Sequence, residues 1–281
     1  MARLVVGLRA LYVGGMRRFI PFVKKPPRVA VVRLSGMIAA GGRSAALNDE
    51  NVAPLLEKAF RRGKPAAVAL IINSPGGSPV QSSLIGARIR RLSEETETPV
   101  FAFVEDVAAS GGYWIASAAD EIFLDPCSVV GSIGVISASF GAHEFIARHG
   151  IERRVYTAGA SKSMLDPFRP EQEADVARLR GLLDDLHGTF KSHVAERRGT
   201  RLPQDRDLFT GEVWIGASAL EVGLADAIGH VVPVMKERFG KDVRFQRYGM
   251  KRGLFQRIGA RVLTDALAEA EERALYARYG L

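Results

Sequence analysis

Apolar and polar positions follow two alternating patterns along most of this chain. Short, mostly apolar runs predict four buried strands, at Val29–Leu34, Val68–Ile72, Val100–Val104 and Glu121–Leu124. Apolar residues at helical spacing predict helices between and after them, at Asn51–Arg62, Val80–Arg91, Gly111–Ala119 and Phe140–His149. Strands that alternate with helices in this way predict an α/β fold, in which a parallel sheet is covered by helices on both faces.

The pattern changes after Pro170, where charged and apolar residues alternate at helical spacing. We predict a long helix from Glu171 to about Arg198 and a helical hairpin built from Ala217–Val222 and Val231–Phe239. A further strand is predicted at Val155-Tyr156, before Gly159, and an amphipathic helix over residues 254–278. The second half of the chain is therefore expected to add helices around the sheet.

Composition is that of an ordinary globular protein, with 47% hydrophobic and 25% charged residues among 281. The single cysteine, Cys127, excludes an internal disulfide framework, and the five histidines show no metal-ligand spacing. We therefore predict no metal and no cofactor.

The net charge of +8 belongs to the two ends of the chain. Residues 1–28 carry +7 and residues 244–281 carry +4, so the body between them carries −3. A basic face with interleaved aromatic residues, which nucleic-acid binding favours, is absent from the body, and we predict no nucleic-acid partner. Leu4 to Val23 is apolar but interrupted by Arg9, Arg17 and Arg18, which favours a short amphipathic segment on an anionic membrane surface over a spanning helix. An unstructured basic tail is the alternative interpretation of this segment.

Unusual residues follow two of the predicted strands, where open α/β folds place their functional groups. The segment Asn73–Ser78 contains Gly76-Gly77, whose backbone N–H groups can turn towards a ligand and hold an oxyanion. Ser110 is flanked by small residues just before an apolar helix, so its hydroxyl is unobstructed and the N–H of Gly111 is free. Each pattern alone is also compatible with an ordinary turn or helix cap.

A lysine loop forms the third candidate. Lys162 lies among small and apolar residues between Gly159 and Pro167. If it is desolvated there, its pKa falls and the neutral amine can accept a proton. A solvated surface lysine is the plainer interpretation of this residue taken alone.

Together these segments resemble the signal peptide peptidase A and protease IV family, which shares its fold with Clp protease and the crotonases. The resemblance runs from about Val29 to Val232 and includes Ser-Pro-Gly-Gly at Ser74–Gly77, Ala-Ser-Gly-Gly-Tyr at Ala109–Tyr113, Gly-Ser-Ile-Gly-Val at Gly131–Val135, and the lysine loop with Asp166-Pro167. Gly211–Ala217 and Glu221–Asp226 are similar to the family's late segment. It implies a ββα superhelix with a parallel sheet, flanking helices and a helical C-terminal extension. We accordingly predict a basic amphipathic N-terminal segment and linker over residues 1–28, a protease IV-like peptidase domain over 29–243 and a basic C-terminal helical extension over 244–281.

The same resemblance implies the roles of individual residues. Ser110 would be the nucleophile and Lys162 the general base of a Ser–Lys dyad. Ser132 matches a serine that helps to hold the lysine amine, and the N–H groups of Gly77 and Gly111 would form the oxyanion hole. The implied activity is a serine endopeptidase acting on signal peptides or unfolded, membrane-associated polypeptides, with small or apolar residues near the scissile bond.

The family also implies a homo-oligomeric ring, an octamer in our expectation, whose sites face an inner cavity. In such a ring, the lysine of one subunit completes the site around its neighbour's serine. Short members usually begin with a membrane-spanning helix, and here an arginine-broken segment replaces it. We therefore expect a bacterial protein peripheral to the inner membrane, on its cytoplasmic side.

Three other interpretations stay open from the sequence. A Clp-type Ser–His–Asp peptidase needs a histidine soon after the nucleophile, but none occurs between Ser110 and His143. A crotonase-like acyl-CoA enzyme needs neither Ser110 nor Lys162. An inactive membrane-surface scaffold could retain the fold without any activity.

Overall fold

A single mixed sheet organises the protein, as seen in a computed structural model that describes residues 26–40, 46–159, 161–249, 270 and 273–281. Within these ranges the sheet has eight strands: β1 (Arg28–Ser35), β2 (Ala67–Ser74), β3 (Val100–Ala109), β4 (Glu121–Leu124), β5 (Val129–Gly131), β6 (Val213–Ile215), β7 (Ala227–Ile228) and β8 (Arg244–Tyr248). The main path runs β6-β5-β3-β2-β1-β8, while β4 pairs with β3 and β7. All pairs are parallel except β5 with β6.

Several α-helices connect and cover the strands in the described ranges. Those that lie between β1 and β8 in the chain are α1 (Asp49–Arg61), α2 (Pro79–Thr96), α3 (Gly111–Ser117), α4 (His143–Arg148), α5 (Glu173–Arg198), α6 (Ala217–Glu221) and α7 (Val231–Phe239). Described residues 270 and 273–277 are also helical. The side chains of Asn48 and Ser78 cap α1 and α2 by accepting backbone N–H bonds, which fixes where both helices begin. None of the described helices combines the length and the apolarity that crossing a bilayer requires.

The two faces of the sheet bury different sets of side chains, because alternate residues of a strand point to opposite sides. In β3, Ala102 and Val104 join a large cluster with α1, α2, α3 and α5. Phe101 and Phe103 lie on the other face, in a smaller cluster that Met235 of α7 closes. The continuous apolar strands predicted a sheet covered on both faces, and the structure confirms this.

Two details of the predicted fold are wrong: residues 155–156 form no strand, and β7 separates the two helices of the expected hairpin. The described sheet is mostly parallel, as predicted, with β6 running antiparallel along β5. β8 begins directly after the boundary predicted at residue 243 and pairs with β1, so it is part of the sheet. Residues 1–25 and most of 254–278 lie outside the described ranges, and so do the amphipathic segments predicted there.

After β5 the chain leaves the sheet, and a long segment of it stays unburied up to the second half of α5. No described residue from 134 to 189 is buried, although the segment exposes large apolar side chains, among them Ile136, Phe140, Phe145 and Tyr156. We call residues 135–172 the arm. It includes α4, which buries no residue at all, and the predicted lysine loop.

Candidate active site

Ser110 occupies a strained turn between β3 and α3. Its backbone has φ +51° and ψ −121°, in the region that non-glycine residues rarely adopt. The turn is held on both sides, because Ser110 N–H donates to the carbonyl of Gly131 (2.8 Å) and the Ser110 carbonyl accepts from Trp114 N–H (3.0 Å). The side chain makes no capping hydrogen bond to the helix. The hydroxyl is therefore presented outwards instead of being used as an N-cap.

Three glycines allow the neighbouring backbone to pass within contact distance of this turn. A Cβ added to Gly76 would lie 2.9 Å from Ser110 Cβ, and one added to Gly111 would lie 2.2 Å from the hydroxyl oxygen of Ser82. A Cβ on Gly112 would lie 2.4 Å from the carbonyl oxygen of Ser74. The structure thus brings the paired glycines after β2 against the serine turn after β3, as predicted from their positions at adjacent strand ends.

Two backbone N–H groups beside Ser110 have no acceptor among the described contacts, and they belong to Gly77 and Gly111. Gly77 has φ +139°, and its chain is held by the neighbouring residues: Ile38 N–H donates to the Gly76 carbonyl and Ser78 N–H donates to the Ile38 carbonyl, both at 2.8 Å. Free donors fixed in this way can stabilise an oxyanion.

Ser132 follows β5, which lies beside the end of β3. It also has a left-handed backbone, with φ +51°, and its N–H donates to the carbonyl of Glu212 (2.6 Å). Its hydroxyl is 3.4 Å from the hydroxyl of Tyr279, and the hydroxyl of Tyr276 donates to the Asn73 carbonyl (2.9 Å). The described C-terminal residues therefore pack beside the strand ends that carry both serines, a placement that the sequence analysis did not predict.

Lys162 lies on a turn of the arm and is exposed to solvent within this chain. Its backbone N–H donates to the carbonyl of Gly159 (3.2 Å), and no described contact joins its side chain to Ser110 or Ser132. The desolvation expected for this lysine is therefore absent within one chain. The structure brings together Gly77, Ser110, Gly111 and the strand end at Ser132, but it leaves Lys162 apart from them.

An apolar cavity of about 140 Å³ opens beside Ser110. Apart from the site residues, its walls include Trp114 of α3, Val135 and Ile136 at the start of the arm, and Leu186 and Phe190 of α5. A second, larger cavity of about 620 Å³ lies on the Ser132 side, between β6 and the C-terminal residues. Only the first cavity contains the Ser110 turn among its lining residues.

The sequence analysis did not predict the contact between α5 and Trp114. The Trp114 ring stacks on Phe190 (centroids 5.0 Å apart) and on His193 (4.5 Å apart). Burial lowers the pKa of His193, although a hydrogen bond to the Trp114 carbonyl opposes the shift. The spacing of Phe190 and His193 predicted that they share one face of a helix, but it carried no signal for what that face contacts.

An unobstructed serine with two fixed N–H donors and an apolar cavity is an arrangement suited to acyl transfer, the chemistry of serine hydrolases. Comparison with known proteins identifies the family. The sequence profile of peptidase family S49 matches residues 93–240, just over half of the chain. The chain belongs to this family.

Several relatives support this assignment. The chain is 31% identical to a putative protease of Synechocystis over 72% of its own length and 70% of that protein, and 31% identical to the probable protease SohB of Haemophilus influenzae over 71% and 56%. It is also 46% identical to a Brucella melitensis protein named Na(+)/H(+) antiporter NhaA, over 95% of the chain. The match covers only 39% of that Brucella protein, so the chain spans about two-fifths of its length.

Proposed function

We propose that the chain is an endopeptidase in which Ser110 and Lys162 form the catalytic dyad. The observation that carries the proposal is the Ser110 turn, which offers its hydroxyl beside the free N–H groups of Gly77 and Gly111. Ser110 Oγ attacks the peptide carbonyl carbon while the Lys162 amine takes the hydroxyl proton. The carbonyl oxygen becomes an oxyanion held by the two N–H groups, and losing one such donor costs on the order of 10²–10³ in rate.

The second half of the reaction returns the proton and releases the product. The tetrahedral intermediate collapses, the carbon–nitrogen bond breaks, and the Lys162 ammonium protonates the leaving amine. Water, deprotonated by the same amine, then hydrolyses the ester on Ser110. The histidines described near this region are engaged elsewhere, since His187 contacts the Ile133 carbonyl and His193 contacts Ser117, which favours the lysine over a Clp-type triad.

We propose further that Lys162 reaches Ser110 from a neighbouring subunit. Within one chain the arm buries none of its described residues, yet it exposes Phe140, Phe145 and Tyr156. Such apolar exposure is typical of a surface that another protein covers. A second copy that covers the arm would desolvate Lys162 and place its amine near the Ser132 hydroxyl. The resulting assembly is a closed ring, which we expect to be an octamer with its sites facing an inner cavity.

The substrates that suit this site are extended or unfolded polypeptides, including cleaved signal peptides. The cavity beside Ser110 is lined by apolar side chains and admits a single apolar side chain of the substrate next to the scissile bond. A ring with internal sites would exclude folded proteins. Membership of a peptidase family favours this function over a crotonase-like enzyme or an inactive scaffold.

Mixed subunits test the dyad and the shared site together. Ser110→Ala and Lys162→Ala chains are purified separately and also co-expressed, and each preparation is assayed for casein cleavage. Each variant alone should be inactive, whereas in an equal mixture about a quarter of the sites combine an intact serine with a neighbour's intact lysine. Lys241→Ala, which removes another exposed lysine, is the control and should retain full activity.

The outcomes separate the two parts of the proposal. Full activity of Lys162→Ala alone would rule out the dyad. Two inactive variants with no recovery in the mixture would keep the dyad but place both residues on one chain. Recovery near a quarter of the wild-type rate supports a site completed by the neighbour.

We also propose that the protein works at the inner membrane of a bacterium, bound to its cytoplasmic surface through residues 1–28. The Brucella relative supports this location, because a unit 46% identical to this chain there forms part of a longer protein with the name of a membrane antiporter. Flotation with vesicles containing anionic lipid tests the proposal. The full chain should float and a chain lacking residues 1–25 should not, and equal flotation of both would contradict it.

A further inference from the structure

The cavity beside Ser110 is small enough to discriminate between apolar side chains. Its volume is about 140 Å³, and an apolar protein cavity of about 150 Å³ is known to accommodate benzene. A leucine or phenylalanine side chain fits a space of this size, whereas the two-ring side chain of tryptophan does not. The residue that limits the depth of the cavity therefore decides which peptides are cleaved.

Trp114 is the largest side chain in the cavity wall. It lies four residues after Ser110, its N–H donates to the Ser110 carbonyl (3.0 Å), and the residue is 7% exposed. Because it belongs to the first turn of α3, its ring is fixed relative to the Ser110 hydroxyl. A smaller residue at this position would enlarge the cavity beside the nucleophile.

The indole ring is held by contacts with two other helices, α5 and α2. Phe190 and His193 of α5 stack on it, with ring planes inclined by 28° and 10°. On the α2 side, Gly86 approaches so closely that an added Cβ would lie 3.2 Å from the indole Cδ1. The ring therefore cannot move aside to admit a larger substrate side chain without displacing an entire helix.

His193 also ties α5 to the backbone of α3. Its Nε2 lies 3.0 Å from the Ser117 hydroxyl and 3.1 Å from the Trp114 carbonyl. One helical turn later, Arg197 donates to the carbonyls of Ser117 (3.0 Å) and Ala119 (3.1 Å) at the end of α3. The face of α5 that contacts α3 thus fixes both the ring and the helix that carries it.

We propose that Trp114 determines the size of the substrate side chain accepted next to the scissile bond, and that Phe190 and His193 are positioning residues that hold its ring. The proposal rests on the proposed function, because it takes Ser110 as the nucleophile. The preferred substrates are peptides with one side chain of leucine or phenylalanine size at this position, and tryptophan is rejected because its two-ring side chain exceeds the volume that Trp114 leaves in the cavity.

A series of peptides that differ only in this side chain tests the proposal. The wild type, Trp114→Leu and Trp114→Phe are assayed with alanine, leucine, phenylalanine and tryptophan peptides, and kcat/KM is measured for each. The tryptophan-to-leucine ratio of kcat/KM should rise at least about tenfold in Trp114→Leu, since a change of one or a few methylenes in an apolar pocket alters discrimination by about 10–200-fold. The ratio is independent of the folded fraction, so partial unfolding of a variant does not mask the result.

Matched variants separate the role of the ring from that of its supports. His193→Phe keeps an aromatic ring against Trp114 and should keep the wild-type ratio, whereas His193→Ala and Phe190→Ala should raise it. Phe103→Leu is the control, because it shortens a buried aromatic residue on the opposite face of the sheet. Its ratio should equal that of the wild type.

An unchanged ratio in both Trp114 variants would overturn the proposal, as would an equal rise in Phe103→Leu. The failure of the proposed function has a different signature. In that case Ser110→Ala would cleave the same peptides at the wild-type rate, whatever their side chain.

Discussion

Removing the charge of Asp226 should destabilise the protein strongly, because this carboxylate neutralises a buried arginine. The Arg198 side chain is 1% exposed and donates to both Asp226 oxygens, at 2.9 and 3.0 Å. Its third bond reaches the Gly223 carbonyl at 2.8 Å. Asp226 also accepts from Ile122 N–H (2.7 Å) and lies 3.2 Å from Arg201. In Asp226→Asn an amide replaces the carboxylate and leaves the arginine charge without its counter-ion.

The magnitude follows from the burial of this pair. Breaking a buried ion pair by removing one partner costs about 3–5 kcal/mol, whereas an exposed pair contributes about 0–1 kcal/mol. The Arg33–Glu105 pair is the matched comparison, because it is also bidentate but its side chains are 51% and 39% exposed. Glu105→Gln should therefore be nearly neutral.

Urea unfolding followed by tryptophan fluorescence measures both variants, with thermal unfolding as a second readout. At about 2–4 °C per kcal/mol, Asp226→Asn should lower the Tm by about 6–20 °C. The denaturant slope should be unchanged, since the buried area is the same. If Asp226→Asn costs no more than Glu105→Gln, the argument that burial makes this pair important is wrong.

Three further substitutions test other parts of the structure. Gly76→Ala should lower casein cleavage by about 10²-fold, because its Cβ would push the nucleophile turn out of place, while Gly181→Ala, with open space around it, should leave activity unchanged. Tyr113→Phe should lower the free energy of unfolding by about 1–3 kcal/mol, since the buried Tyr113 hydroxyl donates to the Leu224 carbonyl (2.8 Å); no change in urea melts would contradict this. Because burial lowers the pKa of His193, this residue contributes stability above about pH 6.5 that is lost as the pH falls below this value. The free energy of unfolding from urea melts should therefore fall less between about pH 7 and about pH 5 in His193→Gln than in the wild type. An equal fall in both proteins would refute the role of His193.

Most of the fold could be predicted because its strands are buried on both faces. Strands such as β2 and β3 consist of continuous apolar residues, so their positions and parallel pairing follow from the alternation with helices. β5, β6, β7 and β8 escaped prediction. The first three are only two or three residues long, and β8 exposes charged side chains at the edge of the sheet. Short edge strands carry little apolar signal, and their pairing depends on distant partners.

The residues of the candidate site likewise fall into a predictable and an unpredictable group. Gly77, Ser110 and Gly111 come from segments that directly follow adjacent strands, so the sequence was sufficient to bring them together. Ser132 follows β5, which pairs with the end of β3. Lys162 is different, because it lies on the arm, and no pattern in the arm specifies what it packs against. Packing between α5 and Trp114 was equally invisible, since helical spacing identifies a face but not its partner.

The backbone of Ser110 has a consequence for the energetics of turnover. A left-handed conformation of a non-glycine residue costs about 1–3 kcal/mol, and the surrounding contacts impose it before any substrate arrives. That cost is met once, during folding, and is not repeated in each catalytic cycle as reorganisation energy. A glycine in place of Ser110 would relieve this backbone strain. The inactive Ser110→Gly variant should therefore be more stable than the active protein.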